Sequence, residues 1–247
     1  MAIALVTGAS RGIGRATALL LAQEGYNVAV NYQHNAQAAD EVVAQIIAQG
    51  GNAFAVQADI SDEAQVDALF TRIDNEAEPL VALVNNAGIL FQQSRLENLT
   101  AERINRVLST NVTGYFLCCR EAVKRMSRQY GGQGGAIVNV SSAAARTGSP
   151  GEYVDYAASK GAVDTLTTGL ALEVAANGIR VNGVRPGFIY TDMHASGGES
   201  GRVDRVSSAI PMQRGGQPEE VAQGIVWLLS DKASYVTGSF LDLAGGR

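Results

Sequence analysis

Tyr156 and Lys160 stand four residues apart in Tyr156-Ala157-Ala158-Ser159-Lys160, and Ser142 precedes the tyrosine by fourteen residues. On a helix, that spacing puts phenol and ammonium on one face. A phenol with an ordinary pKa near 10 is a poor base at neutral pH, and a neighbouring cation favours its ionised form. Tyr156 can then serve as general acid in a reduction and general base in an oxidation, with Lys160 tuning it. Taken alone, Tyr-x-x-x-Lys is as easily part of an exposed helix. A strand-end hydroxyl, from Ser141 or Ser142, could hydrogen-bond a substrate oxygen and stabilise developing alkoxide charge, or simply cap a turn. Asn111, in Ser109-Thr110-Asn111-Val112, interrupts a helical stretch with a residue of mediocre helix propensity. It could hold a water linking Lys160 to solvent; from residue type alone, facing solvent has the stronger claim.

The chain opens with Thr7-Gly8-Ala9-Ser10-Arg11-Gly12-Ile13-Gly14. Gly8, Gly12 and Gly14 fall between a strand-like run and a helical one. Missing side chains there let backbone approach a pyrophosphate, and a helix N-terminus supplies amide donors. The alternative is a tight turn with no ligand. Sites that prefer NAD usually place a carboxylate at the end of the second strand, where this chain has Asn31-Tyr32-Gln33-His34. Arg11 could instead pair with the extra phosphate of NADP, or be a solvated loop charge. NADP(H) is the expected cofactor, with NAD(H) possible. Asp59, in Ala58-Asp59-Ile60, could accept from an adenine amino group or close a turn. Asn86, Ala87 and Gly88 end the fourth strand, at the edge where ligands bind in such sheets.

Positioning these groups calls for alternating β-rich and amphipathic runs. Strands are predicted at Ile3 to Thr7, Asn27 to Asn31, Asn52 to Gln57, Leu80 to Asn85, Ala136 to Val140, Arg180 to Arg185 and Phe240 to Leu243. Helices are predicted at about Ile13 to Glu24, Ala36 to Gln49, Glu63 to Glu76, Ala101 to Arg128, Val154 to Ala176 and Pro218 to Leu229. Gly25, Gly50, Gly131 and Gly178 fall where helices should stop. The pattern reads as α/β: a Rossmann-like doubly wound parallel sheet of about seven strands with helices on both faces. A single NAD(P)-binding domain over 1–247 is expected, with a substrate-loop insertion at about 191–214. Met193 and His194 are its most chemically suggestive members, although a lone loop histidine is more often simply exposed.

Composition narrows the partners. A net charge of -5 gives no electrostatic footprint for nucleic acid or an anionic membrane. No apolar run reaches the roughly 18 residues of a membrane span. Adjacent Cys118 and Cys119 point away from each other on a helix, which fits a reducing compartment. With no basic and apolar leader before Ala2, a cytoplasmic protein is expected. No metal site is expected.

Together, Thr7 to Gly14, Asp59, Asn85-Asn86-Ala87-Gly88, Asn111, Ser142, Tyr156 to Lys160, Pro186-Gly187 and Gly238 to Gly246 resemble the short-chain dehydrogenase/reductase family over essentially the whole chain. The resemblance implies a catalytic tetrad of Asn111, Ser142, Tyr156 and Lys160. It implies that Ile189 and Thr191, after Pro186 and Gly187, meet the nicotinamide carboxamide. Ser142 is preferred to Ser141 as the third residue after Asn139, as in the family's strand-end pattern. The family's serine-to-tyrosine separation is thirteen; fourteen here implies one inserted residue around Gly148 to Glu152. Tyr153 is a decoy phenol, lacking a lysine four residues on. The activity implied is an NADP(H)-dependent oxidoreductase acting on CH–OH donors, interconverting a small carbonyl compound and a secondary alcohol. Reduction of 3-oxoacyl groups on acyl carrier protein, oxidation of a glucose-like sugar and a non-catalytic dinucleotide sensor are the alternatives. For the carrier, Lys124, Arg125 and Arg128 offer part of a basic patch. A homotetramer is also implied, with the helices at Ala101 to Arg128 and Val154 to Ala176 pairing across two-fold axes.

Overall fold

A computed structural model describes residues 1–247. Seven strands form one parallel sheet: β1 (Ile3–Val6), β2 (Asn27–Tyr32), β3 (Asn52–Gln57), β4 (Leu80–Asn85), β5 (Gly135–Val140), β6 (Ile179–Pro186) and β7 (Phe240–Leu243). Their spatial order is β3-β2-β1-β4-β5-β6-β7. Chain order reverses between β1 and β4, so the connections on either side diverge and leave a crevice at the carboxyl ends of the strands. The doubly wound architecture expected from the sequence is the one observed.

The helices are α1 (Gly12–Gln23), α2 (Ala36–Ala48), α3 (Glu63–Asp74), α4 (Ala101–Leu108), α5 (Gly114–Met126), α6 (Ala144–Thr147), α7 (Val154–Val174), α8 (Met193–Ser196), α9 (Arg202–Val206) and α10 (Pro218–Leu229). Alternation along the strands assigns them to two faces. Ile3, Leu5, Leu83, Ile137 and Val181 share one core with α3, α5 and α7. Ala4, Val6, Val30, Val84 and Val138 share the other with α1, α2 and α10. The cores hold 23 and 22 buried residues, so neither face of the sheet is left to water. Gly25, Gly50, Gly131 and Gly178 take φ of +88, +83, +87 and +81 just past helical turns, as their sequence positions predict. No helix is long and apolar enough to cross a membrane.

The stretch predicted as one helix from Ala101 to Arg128 is divided. A π turn over Ser109–Thr113 separates α4 from α5, and a 3-10 turn follows at Arg128–Tyr130. Ser, Thr, Asn and Val in succession weaken the α ladder there. Gly114 lets the start of α5 sit against the turn after β3, since a Cβ would lie 2.8 Å from Ile60 Cδ1. The segment over 191–214, which shows little periodicity in sequence, holds α8, α9 and a 3-10 turn at Ser207–Ala209.

A buried polar chain fastens the elements that carry the site. Asn85 and Asn139 face each other in the β4–β5 register. Asn85 Nδ2 donates to Asn139 Oδ1 at 2.9 Å, and Asn139 Nδ2 donates to Thr167 Oγ1 of α7 at 2.9 Å. Asn85 Nδ2 also reaches Cys119 Sγ of α5 at 3.2 Å. Buried donors left without acceptors are expensive. Asn139→Ala should therefore destabilise the fold by about 1–3 kcal/mol, measured as a lower urea midpoint at unchanged slope.

Candidate active site

At the first strand-to-helix junction, Gly8 and Gly12 adopt φ of +61 and +54, which side-chain-bearing residues rarely take. Gly14 is needed for contact: a Cβ there would lie 2.4 Å from Gly8 O and 2.5 Å from Asn86 Nδ2. Side chains around the loop act inward as struts. Asn86 Nδ2 donates to Thr7 O at 2.9 Å and Gly8 O at 3.1 Å, while Thr7 Oγ1 accepts from the N–H groups of Asn86 and Ala87. Asn31 is buried; its Oδ1 accepts from Gly8 N at 3.2 Å and its Nδ2 donates to Ala58 O at 3.1 Å. No side chain caps α1, so its first amides remain open. Ser10 and the exposed Arg11 make no side-chain hydrogen bond or ion pair within the chain.

Local bonds also hold the stretch after β3. Asp59 Oδ1 accepts from Ser61 N at 2.9 Å and Ser61 Oγ at 2.7 Å, which is the turn-closing role left open by the sequence. Its Oδ2 accepts from Gln33 Nε2 at 2.6 Å. Ile60 is buried in the core with α3 and α5, whereas Tyr32 is half-buried at the edge of the other core.

Ser142 lies just beyond β5, and Tyr156 and Lys160 lie on α7. The two serines divide their roles: Ser141 is buried and donates to Lys160 O at 3.2 Å, while Ser142 lines a cleft beside Tyr156. Ser142 Oγ accepts from Ala144 N at 3.1 Å. Lys160 is only 2% exposed. Its Nζ donates to Val140 O at 2.7 Å and to Tyr115 Oη at 3.3 Å, and lies 5.7 Å from the centre of the Tyr156 ring. Asn111 corrects the solvent-facing reading. It is fully buried in the π turn, accepts from Ile89 N at 2.8 Å, and donates to Ile89 O and Ser159 Oγ at 3.1 Å each. Those bonds tie the loop after β4 to α7, and Gly88 keeps the space beside Lys160 open.

Burial dominates the electrostatics. It pushes the Tyr156 phenol up to about 12, opposed by a hydrogen bond with Ser142. It pulls Lys160 down to about 7, opposed by the charge of Asp164. The rise of the tyrosine comes from loss of water, opposite in sign to the lowering expected from a protonated Lys160 and a bound oxidised nicotinamide.

The cleft has a volume of about 330 Å³ and takes in Ile13, Ser142, Tyr156, Lys160, Gly187 and Thr191. Thr191 closes on the glycine loop, its Cγ2 lying 3.3 Å from the position of a Cβ on Gly12. Pro186 and Ile189 line the same wall. His194 is not an exposed loop residue: Nε2 lies 3.1 Å from Ile189 O, Nδ1 is buried without a partner, and burial lowers its pKa. Tyr153 is buried, its hydroxyl donating to Gly197 O at 3.3 Å, and so anchors the 191–214 segment rather than facing Lys160. Arg202 is also buried, ion-paired with Glu152 and 5.0 Å from the Tyr153 ring centre.

Arg202 and Tyr115 escaped the reading of the sequence. Tyr115 follows Asn111 by four residues, a helical spacing that was a usable signal; nothing near Arg202 in sequence marks it.

A family model described as enoyl-(acyl carrier protein) reductase matches residues 8–247. The chain is 81% identical over 247 residues to an uncharacterized oxidoreductase of Escherichia coli, YgfF, covering 100% of both chains. It is 42% identical over 243 residues to a 3-oxoacyl-[acyl-carrier-protein] reductase of Staphylococcus aureus, covering 98% of this chain and 96% of the other. A 3-oxoacyl-[acyl-carrier-protein] reductase of Synechocystis is 44% identical over 245 residues, with 99% and 96% covered.

The sign of the Lys160 shift fixes a stability trend. Between pH 7 and about 9 the unfolded chain holds a proton that folded Lys160 sheds, so stability should rise with pH. Above about 9, the buried thiols, whose values are raised, begin to oppose it. In thermal melts, Lys160→Met should flatten the rise between pH 7 and about 9.

Proposed function

The chain belongs to the short-chain dehydrogenase/reductase family, and from that premise we propose that it uses NADP(H) to interconvert a carbonyl and a secondary alcohol on a small substrate. It is an NAD(P)-dependent oxidoreductase. One observation carries the finer reading: Ser142, Tyr156 and Lys160 meet on the wall of a cleft that reaches Ile13 of the glycine loop.

The residues fit a dinucleotide. Open amides at the start of α1 suit a pyrophosphate, and the walls at Pro186, Gly187, Ile189 and Thr191 suit a nicotinamide end. When bound, that cofactor supplies or accepts the hydride. The chain's own residues handle the proton and the oxygen. Tyr156 holds its proton through neutral pH and gives it to the carbonyl oxygen. Ser142 donates a hydrogen bond to that oxygen as negative charge develops. Lys160, when protonated, favours the phenolate left behind. Asn111 acts through Ser159 and Ile89, holding α7 against the loop after β4.

Arg11 stands unpaired at the glycine loop and no carboxylate ends β2, which supports NADP(H) over NAD(H). The 191–214 segment, anchored through Tyr153 and Arg202, serves as the substrate-side closure of a single domain over 1–247. Exposed Phe116 and Leu172 on α5 and α7 fit pairing with further copies in a homotetramer. Two buried free thiols suit the cytoplasm.

Reduction of a 3-oxoacyl group on acyl carrier protein is the second reading, favoured by the names of two relatives. An acidic carrier needs free cations for docking. Lys124 is paired with Glu121 at 2.7 Å, and Arg125 with Asp74 at 2.6 Å and Glu121 at 2.9 Å, so most of the basic patch is already neutralised. NADPH consumption with small ketones, sugars, and 3-oxoacyl thioesters free or on carrier protein decides between the readings.

Tyr156→Phe should lower kcat by about 10²–10⁴-fold. An inactive Tyr153→Phe beside an active Tyr156→Phe would overturn the assignment. Arg11→Ala should raise the KM for NADPH by about tenfold to a hundredfold and leave that for NADH unchanged, as steady-state kinetics with each cofactor would record.

A further inference from the structure

We propose that Tyr115 is a positioning residue for the proton-transfer pair, a second, buried phenol that holds the Lys160 ammonium aimed at Tyr156. The inference rests on the reading of Lys160 as the group that tunes Tyr156.

Tyr115 opens the first turn of α5 and is fully buried. Its hydroxyl donates to Val140 O at 3.1 Å and accepts from Lys160 Nζ at 3.3 Å, while Nζ donates to the same carbonyl at 2.7 Å. The three groups close a triangle. Nζ lies 5.0 Å from the Tyr115 ring centre and 5.7 Å from that of Tyr156, so the ammonium is flanked by two phenols. An ammonium has three protons. Two are taken by the wall, one by Val140 and one by Tyr115, which leaves a single donor for the open side. There Gly88 presents no side chain; even a Cβ on it would stop 3.7 Å from Nζ. Tyr115 thereby stops the rotor with one proton facing the cleft.

The two phenols have different tasks. Tyr156 lines the cleft and can exchange a proton with a substrate; Tyr115 is sealed from it and is held well above the ordinary phenol value by burial. It stays protonated and works as a fixed neutral acceptor. The π turn is what brings it there: Asn111 lies within the widened turn, Tyr115 just after it, and both reach toward α7.

The groups facing Lys160 are few. On α7 they are Tyr156 and Asp164, the latter held by Arg185 of β6 at 2.9 Å. From α5 comes Tyr115, with the thiols of Cys118 and Cys119 behind it. β5 and the π turn offer only neutral groups: Val140 O, Ser141 and Asn111. No carboxylate accepts directly from Nζ, so beside the charge of Asp164 the charged lysine is favoured by two direct acceptors, Val140 O and the Tyr115 hydroxyl.

The test is the titration of Lys160 itself, followed by NMR of ¹³Cε-labelled lysine in the intact protein, with the signal assigned by its loss in Lys160→Met. Tyr115→Phe keeps the ring and removes only the acceptor. The lysine titration should move down by about one pH unit, and the alkaline limb of kcat/KM for NADPH-dependent reduction should move with it, with kcat at pH 8 falling about tenfold. Tyr115→Met, also without the hydroxyl, should shift the titration in the same direction and serves if the Phe variant does not fold. An unchanged Lys160 titration in a folded variant overturns the proposal, even if the rate falls. Turnover of none of the carbonyl substrates would sink the functional reading instead, and the NMR titration would still decide the role of Tyr115.

Discussion

An ammonium buried among neutral oxygens is the interaction on which the geometry of this site depends. Lys160 is nearly without solvent, and its direct acceptors are a backbone carbonyl and a phenol. Burying a charge is unfavourable unless protein dipoles replace the lost water. The replacement is possible only if β5, α5 and α7 keep their spacing to within a hydrogen bond. That is the task of the amide chain through Asn85, Asn139 and Thr167, and of Asn111 at the π turn. Framework and site are therefore coupled: polar groups far from the cleft hold the depth at which Lys160 sits.

The dinucleotide end follows a different rule. There the side chains of Thr7, Asn31 and Asn86 bond inward to the loop's own backbone, and α1 starts with its amides open. Under the proposed reading, recognition falls to backbone dipoles, and selectivity between related cofactors to the few side chains that remain free, Arg11 first among them. A rigid loop held by buried amides presents its donors with little reorganisation on binding, which is what makes a backbone site effective.

Most of the fold was legible because strands and helices alternate with clear periodicity, and helix ends carry glycine. The helix predicted across Ala101 to Arg128 failed at one place, where a run of weak helix formers opens a π turn. Asn111 drew attention as a weak point in a helix, yet its burial depends on Ile89 and Ser159, which only the folded chain brings near. Tyr153 and Tyr156 illustrate the same limit. Three residues apart, both border the cleft, but the Tyr153 hydroxyl is spent on Gly197 O while Tyr156 stands beside Ser142 and Lys160. Arg202 is buried through Glu152, fifty residues away, a pairing without any local sequence signal. Chemistry carried by spacing within one element was readable; chemistry assembled between elements was not.

The balance of the two phenol environments bears on the direction of reaction. Burial pushes Tyr156 up to about 12 and Lys160 down to about 7, so at neutral pH the phenol holds its proton. The protonated phenol is the form that can supply a proton to a carbonyl oxygen. Alcohol oxidation needs the phenolate, and two changes can provide it: a fully protonated Lys160 or a further positive charge in the cleft. Asp164, paired with Arg185, favours the protonated lysine, although burial outweighs it. Reduction starts from the protonated phenol and oxidation from the phenolate, so the hold of Val140 and Tyr115 on the ammonium bears on both.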